Sequence, residues 1–207
     1  MLHRTKTPVN RHLVRTILNN WLTIWALLAL PGALMVLGWL RGSAGLGDLL
    51  QPSGETSARL MIVAMSIAPL IALLGKRGWL RWMLARRRWF GVAAFGYAVL
   101  HLVFYVIDMG TLTDILAEIG APGIWTAWAA MALLTIVAVA SNNAAMRRLR
   151  TAWKPVQRLA YPAALLTLAH WILVHNNVAA ALVHFVPLAL IVAARAFLPL
   201  PRLPQGA

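Results

Sequence analysis

Residues 96–107 read Gly96-Tyr-Ala-Val-Leu-His-Leu-Val-Phe-Tyr-Val-Ile107, and they place one histidine, His101, in a run otherwise apolar enough to lie in lipid. Comparable apolar runs recur to the C-terminus, so a single N-terminal signal peptide of about 15–30 residues does not explain them. Hydrophobic residues make up 61% of the 207-residue chain and charged residues only 12%, with a mean hydropathy of +0.73. These values lie outside the range of soluble globular proteins and predict an integral membrane protein.

Six apolar runs are long enough to cross a bilayer, which takes roughly 20 residues within a range of about 17–25. The predicted spans are Ile17–Leu40, Arg59–Gly75, Trp89–Ile107, Ile124–Ser141, Leu159–Asn176 and Val178–Phe197. The predicted fold class is therefore an all-α integral membrane protein, a six-transmembrane-helix bundle. Residues 17–197 form this membrane domain, preceded by a basic tail of residues 1–16 and followed by a tail of residues 198–207.

Charged residues alternate between the two ends of these spans. Lysine and arginine crowd the N-terminus, the second and fourth connections and the C-terminus. The acidic residues all fall in or beside the first and third connections, at Asp48, Glu55, Asp108, Asp114 and Glu118. Because Lys and Arg accumulate on the cytoplasmic side of membrane proteins, both termini and both tails are predicted to be cytoplasmic.

The charge and the missing cysteines exclude several kinds of site. A net charge of +14 would suggest nucleic-acid binding in a soluble chain, but in a membrane protein it indicates topology and anionic lipid headgroups. We therefore expect the lipid bilayer, and no nucleic acid, to contact the basic loops. Since the sequence has no cysteine, disulfides, iron–sulfur clusters and thiolate zinc sites are excluded.

Two histidines are predicted to lie at one depth on facing spans. His101 stands 13 positions after Arg88 and His170 stands 12 positions after Arg158, so both lie roughly 18–20 Å from the cytoplasmic side. Polar groups at this depth are costly unless paired, and the plain alternative is a histidine satisfied by a neighbouring hydroxyl or carbonyl. Two neutral imidazoles on facing helices are the arrangement that holds a b-type haem, and we predict both as iron ligands. No acidic residue lies at that depth to complete a zinc site.

Three further side chains on the outer side are candidates. His184 enters on the sixth span and reaches a similar level, as a ligand, a partner of a ligand or a packed residue. His175 follows His170 by five residues, about 140° around the helix, which favours a role at the outer rim. Arg59 begins the second span near the height where haem propionates need cations. The sequence favours equally an arginine that only extends its charged end to the membrane surface.

Several short motifs together resemble those of the MsrQ (YedZ) family. They are Thr56-Ser-Ala-Arg-Leu with Ala68-Pro-Leu, then Arg87-Arg-Trp-Phe-Gly91 with Leu100-His-Leu and Tyr105, then Ala145-Met-Arg-Arg-Leu with Trp153, Gln157-Arg-Leu-Ala-Tyr161 and His170-Trp. The likeness covers roughly residues 10–195. The family comprises haem-binding membrane subunits of a bacterial methionine-sulfoxide reductase system, within the ferric-reductase-like transmembrane group.

The resemblance implies a cytochrome of the bacterial inner membrane that passes electrons outward. The implied acceptor is a periplasmic molybdopterin-containing methionine-sulfoxide reductase that repairs oxidised envelope proteins, and the implied donor is the quinone pool or a cytosolic flavin reductase. Haem b, one or two per chain, is the implied cofactor, with flavin mononucleotide (FMN) and quinone as further candidates. The family's haem-ligating histidines correspond to His101 and His170. The chain would be the electron-transfer subunit of an oxidoreductase complex rather than its catalytic subunit.

At one position the chain departs from the family pattern. The family has a third histidine where this chain has Gln157, about 20 Å from the level of His170. Because an amide is a poor iron ligand, a second, inner haem is expected to be lost, ligated differently, or replaced by a flavin or quinone site. In the last case Gln157 would bond a cofactor carbonyl, and Arg158 with Lys154 would attract a phosphate.

Two other functions fit parts of the pattern. A free-standing ferric or cupric reductase would need a cytosolic flavin or nicotinamide domain, and only ten residues follow the last predicted span. A small transporter or membrane assembly factor would use the histidines for proton relay or hydrogen bonding. An absorption spectrum separates this last class from the others, because only a cytochrome has a reducible Soret band.

Overall fold

The computed structural model of the chain describes residue 17, residues 19–175 and residues 177–197. The predicted tails, residues 1–16 and 198–207, lie outside these residues, as does Asn176 at the end of the fifth predicted span. Every regular element in the described part is helical. The helices are α1 (Trp21–Leu40), α2 (Leu46–Leu74), α3 (Gly78–Met109), α4 (Leu112–Glu118), α5 (Pro122–Val139), α6 (Asn143–Leu149), α7 (Trp153–Arg158), α8 (Ala160–His175) and α9 (Val178–Phe197), with a 3-10 turn at Arg150–Ala152.

Five of these helices, α1, α2, α3, α5 and α9, are long and apolar enough to cross a membrane. The remaining predicted span, Leu159–Asn176, corresponds to α8, which has 16 residues. A helix of this length rises about 24 Å, less than the ~30 Å of a hydrocarbon core. The predicted all-helical membrane fold is confirmed, whereas the count of six spans and the cytoplasmic location of the termini stay predictions.

Successive long helices run in opposite directions, so each connection lies at one of two ends of the bundle. We call the end with residues 75–88 and 140–159 the basic end, because its connections carry clustered Arg and Lys. We call the opposite end, with residues 41–58 and 108–121, the acidic end. The predicted inner and outer sides correspond to the basic and the acidic end.

The helix α2 begins at Leu46, well before the predicted start of the second span at Arg59. Asp48 stabilises this early start, because its Oδ2 accepts from the Gly45 N–H at 3.1 Å. The polar residues that look like a connection in the sequence are satisfied inside the bundle. The buried Ser53 hydroxyl donates to the Leu49 carbonyl at 2.7 Å, and the buried Ser57 hydroxyl donates to the Ala94 carbonyl at 2.8 Å. The extra turns of α2 therefore pack along the acidic half of α3.

Small side chains let α2 approach α3 closely, and this is the most extensive helix pair of the described bundle. Ala58 and Ala94, both almost fully buried, lie at this contact. Small residues favour helix association in membranes because they bring the two backbones within van der Waals contact. Larger core residues on α2, α8 and α9, among them Met61, Trp171 and Phe185, join the pair to the rest of the bundle.

A tyrosine of α3 forms hydrogen bonds to α1 next to the proline inside that helix. Pro31 lies inside α1 and lacks the N–H that the helix ladder needs. The Tyr97 hydroxyl accepts from the Gly32 N–H and donates to the Leu28 carbonyl, both at 2.8 Å. A polar group inserted there satisfies backbone atoms that lipid cannot, and it holds α1 against α3.

Candidate functional site

The structure brings His101 of α3 and His170 of α8 together in the acidic half of the bundle. Their ring centroids are 6.1 Å apart and their planes are inclined by 73°. Both side chains are partly buried. The sequence predicts the same depth for both residues, and in the structure their imidazoles are direct neighbours.

A backbone carbonyl fixes one nitrogen of each ring. His101 Nδ1 lies 2.8 Å from the Leu50 carbonyl oxygen, and His170 Nδ1 lies 2.8 Å from the Gly123 carbonyl oxygen. Because a carbonyl only accepts, each Nδ1 carries the proton and donates it. Each neutral ring then has Nε2 as its nitrogen with a free lone pair, which is the state required of a metal ligand.

The separation of the rings suits one metal ion between them. A metal–nitrogen bond of ~2.0–2.1 Å and the ~1.1 Å from a ring nitrogen to its ring centre, counted on both sides, give ~6.3 Å. The observed 6.1 Å is close to this value. Among the described residues no group of three or more His, Cys, Asp or Glu side chains is placed to hold an ion. A metal ion between the two rings would take its remaining ligands from a cofactor, and the assignment of this ion to haem iron stays a prediction.

A cavity surrounds the two rings, and we call it the histidine cavity. It encloses about 920 Å³, counting the space at its open side, and α2, α3, α5 and α8 form its walls. Trp128 and Trp171 supply aromatic surface, while Gln51, Glu55 and His175 supply polar groups. Apolar walls with a few polar groups are typical of sites for organic cofactors.

His184 lies beside this cavity with both ring nitrogens occupied. Its Nδ1 donates to the Ala180 carbonyl at 2.7 Å, and its Nε2 accepts from Arg59 Nε at 3.1 Å. Its ring packs on Trp171, with centroids 5.2 Å apart. Arg59 also forms an ion pair with Glu55 at 2.5 Å. The two predicted candidates His184 and Arg59 thus bind each other, and neither lines the cavity.

Further polar side chains lie on the acidic side of the two rings. His175 lines the histidine cavity and is exposed, in keeping with a place at the rim. Tyr105 also lines the cavity, and its hydroxyl lies 3.5 Å from Glu118 Oε2 at the end of α4. These groups connect the cavity with the acidic end.

A second cavity lies nearer the basic end, and we call it the arginine cavity. It encloses about 1200 Å³, open space included, and it is lined by Arg87, Arg88, Trp89, Trp153 and Gln157 among others. Gln157 Nε2 donates to the Val137 carbonyl at 3.3 Å and to Ser141 Oγ at 3.2 Å. The amide N–H groups of Gln157 thus point to the C-terminal end of α5. The amide Oε1 remains as an acceptor for a ligand.

The cations at the arginine cavity differ from those that the sequence suggests. Arg158 and Lys154 are exposed and do not line it, whereas Arg87 and Arg88 do. Arg87 Nε donates to the Ala64 carbonyl at 2.9 Å, and Arg88 Nη1 donates to Asn143 Oδ1 at 2.6 Å. The sequence does show Arg87 and Arg88 just before the third predicted span. The accumulation of Arg on the cytoplasmic side explains them equally well, so they did not indicate a binding site.

Sequence reasoning also missed the residues that hold the two imidazoles. Leu50, Ser53 and Gly54 fall in the predicted first connection, and Gly123 lies just before the fourth predicted span. Their roles depend on backbone carbonyls, which every residue has. The adjoining Ser-Gly at residues 53–54 was the only local signal, and it is as typical of a turn.

Comparison with known proteins relates the chain to one family of membrane proteins. Residues 53–168 match the family model described as ferric reductase like transmembrane component. The protein-methionine-sulfoxide reductase heme-binding subunit MsrQ of Xanthomonas oryzae pv. oryzae (strain MAFF 311018) is 35% identical over 149 residues, covering 68% of this chain and 66% of that protein. The same-named subunit of Xanthomonas campestris pv. campestris (strain 8004) is 33% identical over 165 residues, covering 72% of this chain and 74% of that protein.

A relative from Rhizobium meliloti (strain 1021), with the same name, is 33% identical over 148 residues, covering 67% of this chain and 66% of that protein. This chain thus spans about two thirds of the length of the Xanthomonas oryzae and Rhizobium meliloti proteins. No solved structure matches the chain at a significant level.

Proposed function

This chain belongs to the MsrQ family of ferric-reductase-like membrane proteins, and on that premise we propose that it is a b-type cytochrome subunit. It carries electrons across the bacterial inner membrane to a periplasmic molybdopterin-containing methionine-sulfoxide reductase, which repairs oxidised envelope proteins. The donor is the quinone pool or a cytosolic flavin reductase. The chain contributes the electron path, and its partner contributes the catalytic centre.

The observation that carries this proposal is the pair of anchored imidazoles. Backbone carbonyls accept from Nδ1 of His101 and of His170, which leaves Nε2 of each ring free, and both residues line one cavity with ring centroids 6.1 Å apart. The two residues would hold a haem b in the histidine cavity through its iron. When bound, a haem with two imidazole ligands supplies one-electron redox chemistry.

A reduced-minus-oxidised absorption spectrum of the purified protein, combined with a pyridine-haemochrome titration per polypeptide, tests the proposal. We expect a reducible Soret band and about one haem b per chain, because a single bis-imidazole pair occurs among the described residues. A colourless protein that takes up no added haem would contradict the cytochrome function and favour a transporter or assembly factor.

Electrons enter, on this proposal, at the arginine cavity. Gln157 offers an amide oxygen that accepts from a flavin or from a reduced quinone, and Arg87 and Arg88 attract the phosphate of FMN or the oxygens of a quinone. The cavity shares Leu134 with the histidine cavity, so a donor bound there lies next to the haem site.

Topology gives the first prediction. Reporter fusions placed after residues 109–121 should read periplasmic, and fusions after residues 147–154 should read cytoplasmic. The physical reason is the segregation of Arg and Lys to the basic end. The measurement is a paired alkaline phosphatase and green fluorescent protein assay in cells. Reversed readings would overturn both the orientation and the outward direction of electron flow.

Arg59 gives the second prediction. Replacing Arg59 with glutamine should lower the midpoint reduction potential while the haem content stays unchanged. The arginine cation opposes the extra positive charge of ferric iron, and its removal also leaves Glu55, which lines the histidine cavity, without its ion-pair partner. His184→Ala should likewise keep the haem and shift the potential, since His184 holds Arg59 and packs on Trp171.

Redox titration of both variants measures the effect, and Arg41→Gln is the matched control. Arg41 is an exposed cation on the same end of the bundle, between α1 and α2. If Arg59→Gln and Arg41→Gln titrate alike, the charge of Arg59 does not reach the haem site, and Arg59 is a lipid anchor.

A further inference from the structure

The two imidazoles are held by the same local arrangement on two different helices. Each Nδ1 donates to a carbonyl in the first turns of a neighbouring helix, Leu50 in α2 and Gly123 in α5. Three residues later each helix carries a buried hydroxyl within hydrogen-bond distance of the same carbonyl, Ser53 at 2.9 Å and Thr126 at 2.8 Å. Each hydroxyl has one proton and shares it between this carbonyl and the preceding one, Leu49 at 2.7 Å or Pro122 at 2.9 Å. Ser53 and Thr126 are two of the four buried polar residues found in the described part of the chain.

On the His101 side, a glycine makes room for the ring. A Cβ built on Gly54 would lie 3.2 Å from His101 Nδ1 and 3.3 Å from its Cε1. The Ser53 hydroxyl lies 3.3 Å from the same Nδ1. The ring thus rests directly on the α2 backbone, and a larger residue at position 54 would push Nδ1 away from the Leu50 carbonyl.

On the His170 side, a glycine makes room for the helix. A Cβ built on Gly123 would lie 2.8 Å from Val174 Cγ2 and 3.4 Å from Leu173 Cβ, on the turn of α8 that follows His170. The start of α5 therefore approaches α8 closely enough for the Gly123 carbonyl to reach His170. The Thr126 hydroxyl also bonds the Pro122 carbonyl at 2.9 Å, which ties down the first turn of α5.

We propose that Ser53, Gly54, Gly123 and Thr126 are positioning residues for the two ligands. They hold each ring in the Nδ1-protonated form, with Nε2 directed to the cavity, before any metal binds. Each hydroxyl shares its carbonyl with the imidazole, so the hydroxyl limits how strongly that carbonyl accepts from Nδ1–H. Since donation from Nδ1 raises the basicity of Nε2, the two hydroxyls would set how strongly each imidazole donates to a bound metal.

The identity of the metal in this inference rests on the proposed function, but the state of the rings does not. Nitrogen-15 NMR of histidine-labelled, haem-free protein in detergent micelles therefore comes first. We expect the signals of His101 and His170 to show Nδ1 protonated and Nε2 unprotonated at neutral pH. Equal populations of both tautomers in the wild-type protein would overturn the inference, whether or not the protein binds haem.

Gly54→Ala tests the His101 side, with Gly47→Ala as its control on the same helix. Nothing lies within 4 Å of a Cβ at Gly47, whereas the one at Gly54 meets the ring. We expect Gly54→Ala to lose the single Nδ1–H signal of His101, and to lose at least half of the haem that Gly47→Ala retains. A wild-type His101 signal in Gly54→Ala would contradict the role of Gly54.

The hydroxyls are tested by variants that leave the space unchanged, so they remain informative if a glycine variant does not fold. Ser53→Ala and Thr126→Val should keep the haem, move the His101 or the His170 Nδ1–H signal, and shift the reduction potential. Thr126→Ser should restore the wild-type values because it restores the hydroxyl. Ser66→Ala is the control, since the Ser66 hydroxyl bonds Ile62 of its own helix and lines neither cavity. Signals and potentials that match this control would overturn the proposal.

Discussion

Replacing His101 or His170 with alanine is expected to remove the haem from this protein. The two imidazoles lie 6.1 Å apart between ring centroids, and among the described residues no group of three or more His, Cys, Asp or Glu side chains is placed to hold an ion. Losing a hydrogen-bonding partner of a ligand costs roughly 10–100-fold in metal affinity, so losing the ligand itself should cost more. We expect the haem per polypeptide to fall at least about tenfold in each variant, measured by pyridine haemochrome.

His175→Ala is the matched control for this experiment. It removes an imidazole from the same helix and the same cavity, but one that is exposed toward the acidic end. It should keep the wild-type Soret band. Full haem content in His101→Ala or in His170→Ala would rule out ligation of the haem by both imidazoles. Equal losses in all three variants would point to a general effect on folding.

Replacing Gln157 with histidine is expected to add a haem. The side chain of Gln157 lines the arginine cavity and donates to the Val137 carbonyl and to Ser141 Oγ. An imidazole there can donate from one nitrogen to those groups and keep its other nitrogen free for a metal. Because an imidazole binds iron far better than an amide oxygen, the haem per polypeptide should rise from about one toward about two.

The added haem should have a spectrum of its own. Met61 and Met65 also line the arginine cavity, but no second imidazole does among the described residues, so the new iron lacks a matching axial nitrogen. We expect a high-spin or histidine–methionine signal beside the bis-imidazole one. Gln157→Asn, which keeps an amide, is the control and should bind no extra haem.

The role of Gln157 in electron entry needs a separate measurement. Gln157→Ala should slow reduction by a quinol or a reduced flavin while the haem spectrum stays intact, because the variant loses the amide oxygen that faces the cavity. If Gln157→His adds no haem and Gln157→Ala is reduced at the wild-type rate, the glutamine serves only to join α7 to the end of α5.

Part of the site could be predicted because it depends on depth alone. The rise per residue of a helix is fixed, so counting from Arg88 and Arg158 places His101 and His170 at one level without knowledge of the packing. The same counting places Gln157 toward the opposite end. Counting residues does not give the direction in which a side chain points around its helix. For this reason the sequence predicted both Arg59 and His184 as cofactor-binding residues, although they bind each other.

The early start of α2 escaped the sequence for a related reason. The first turns of α2 contain Asp48, Ser53 and Glu55 together with Pro52, which is a composition typical of a connection. Asp48 accepts from the Gly45 N–H, Ser53 donates to a backbone carbonyl of α2, and Glu55 pairs with Arg59. Hydropathy does not record such partners.

The sequence by itself determined the membrane character of the chain, the alternation of basic and acidic ends and the depth of the two facing histidines. These depend on composition and on helix rise, which are local properties. The tertiary structure alone decided which nitrogen of each ring is free, which arginines line the second cavity, and which glycines make room for a ring or for a neighbouring helix. Each of these depends on a backbone carbonyl or on a close approach between helices, and such contacts exist only once the helices have packed.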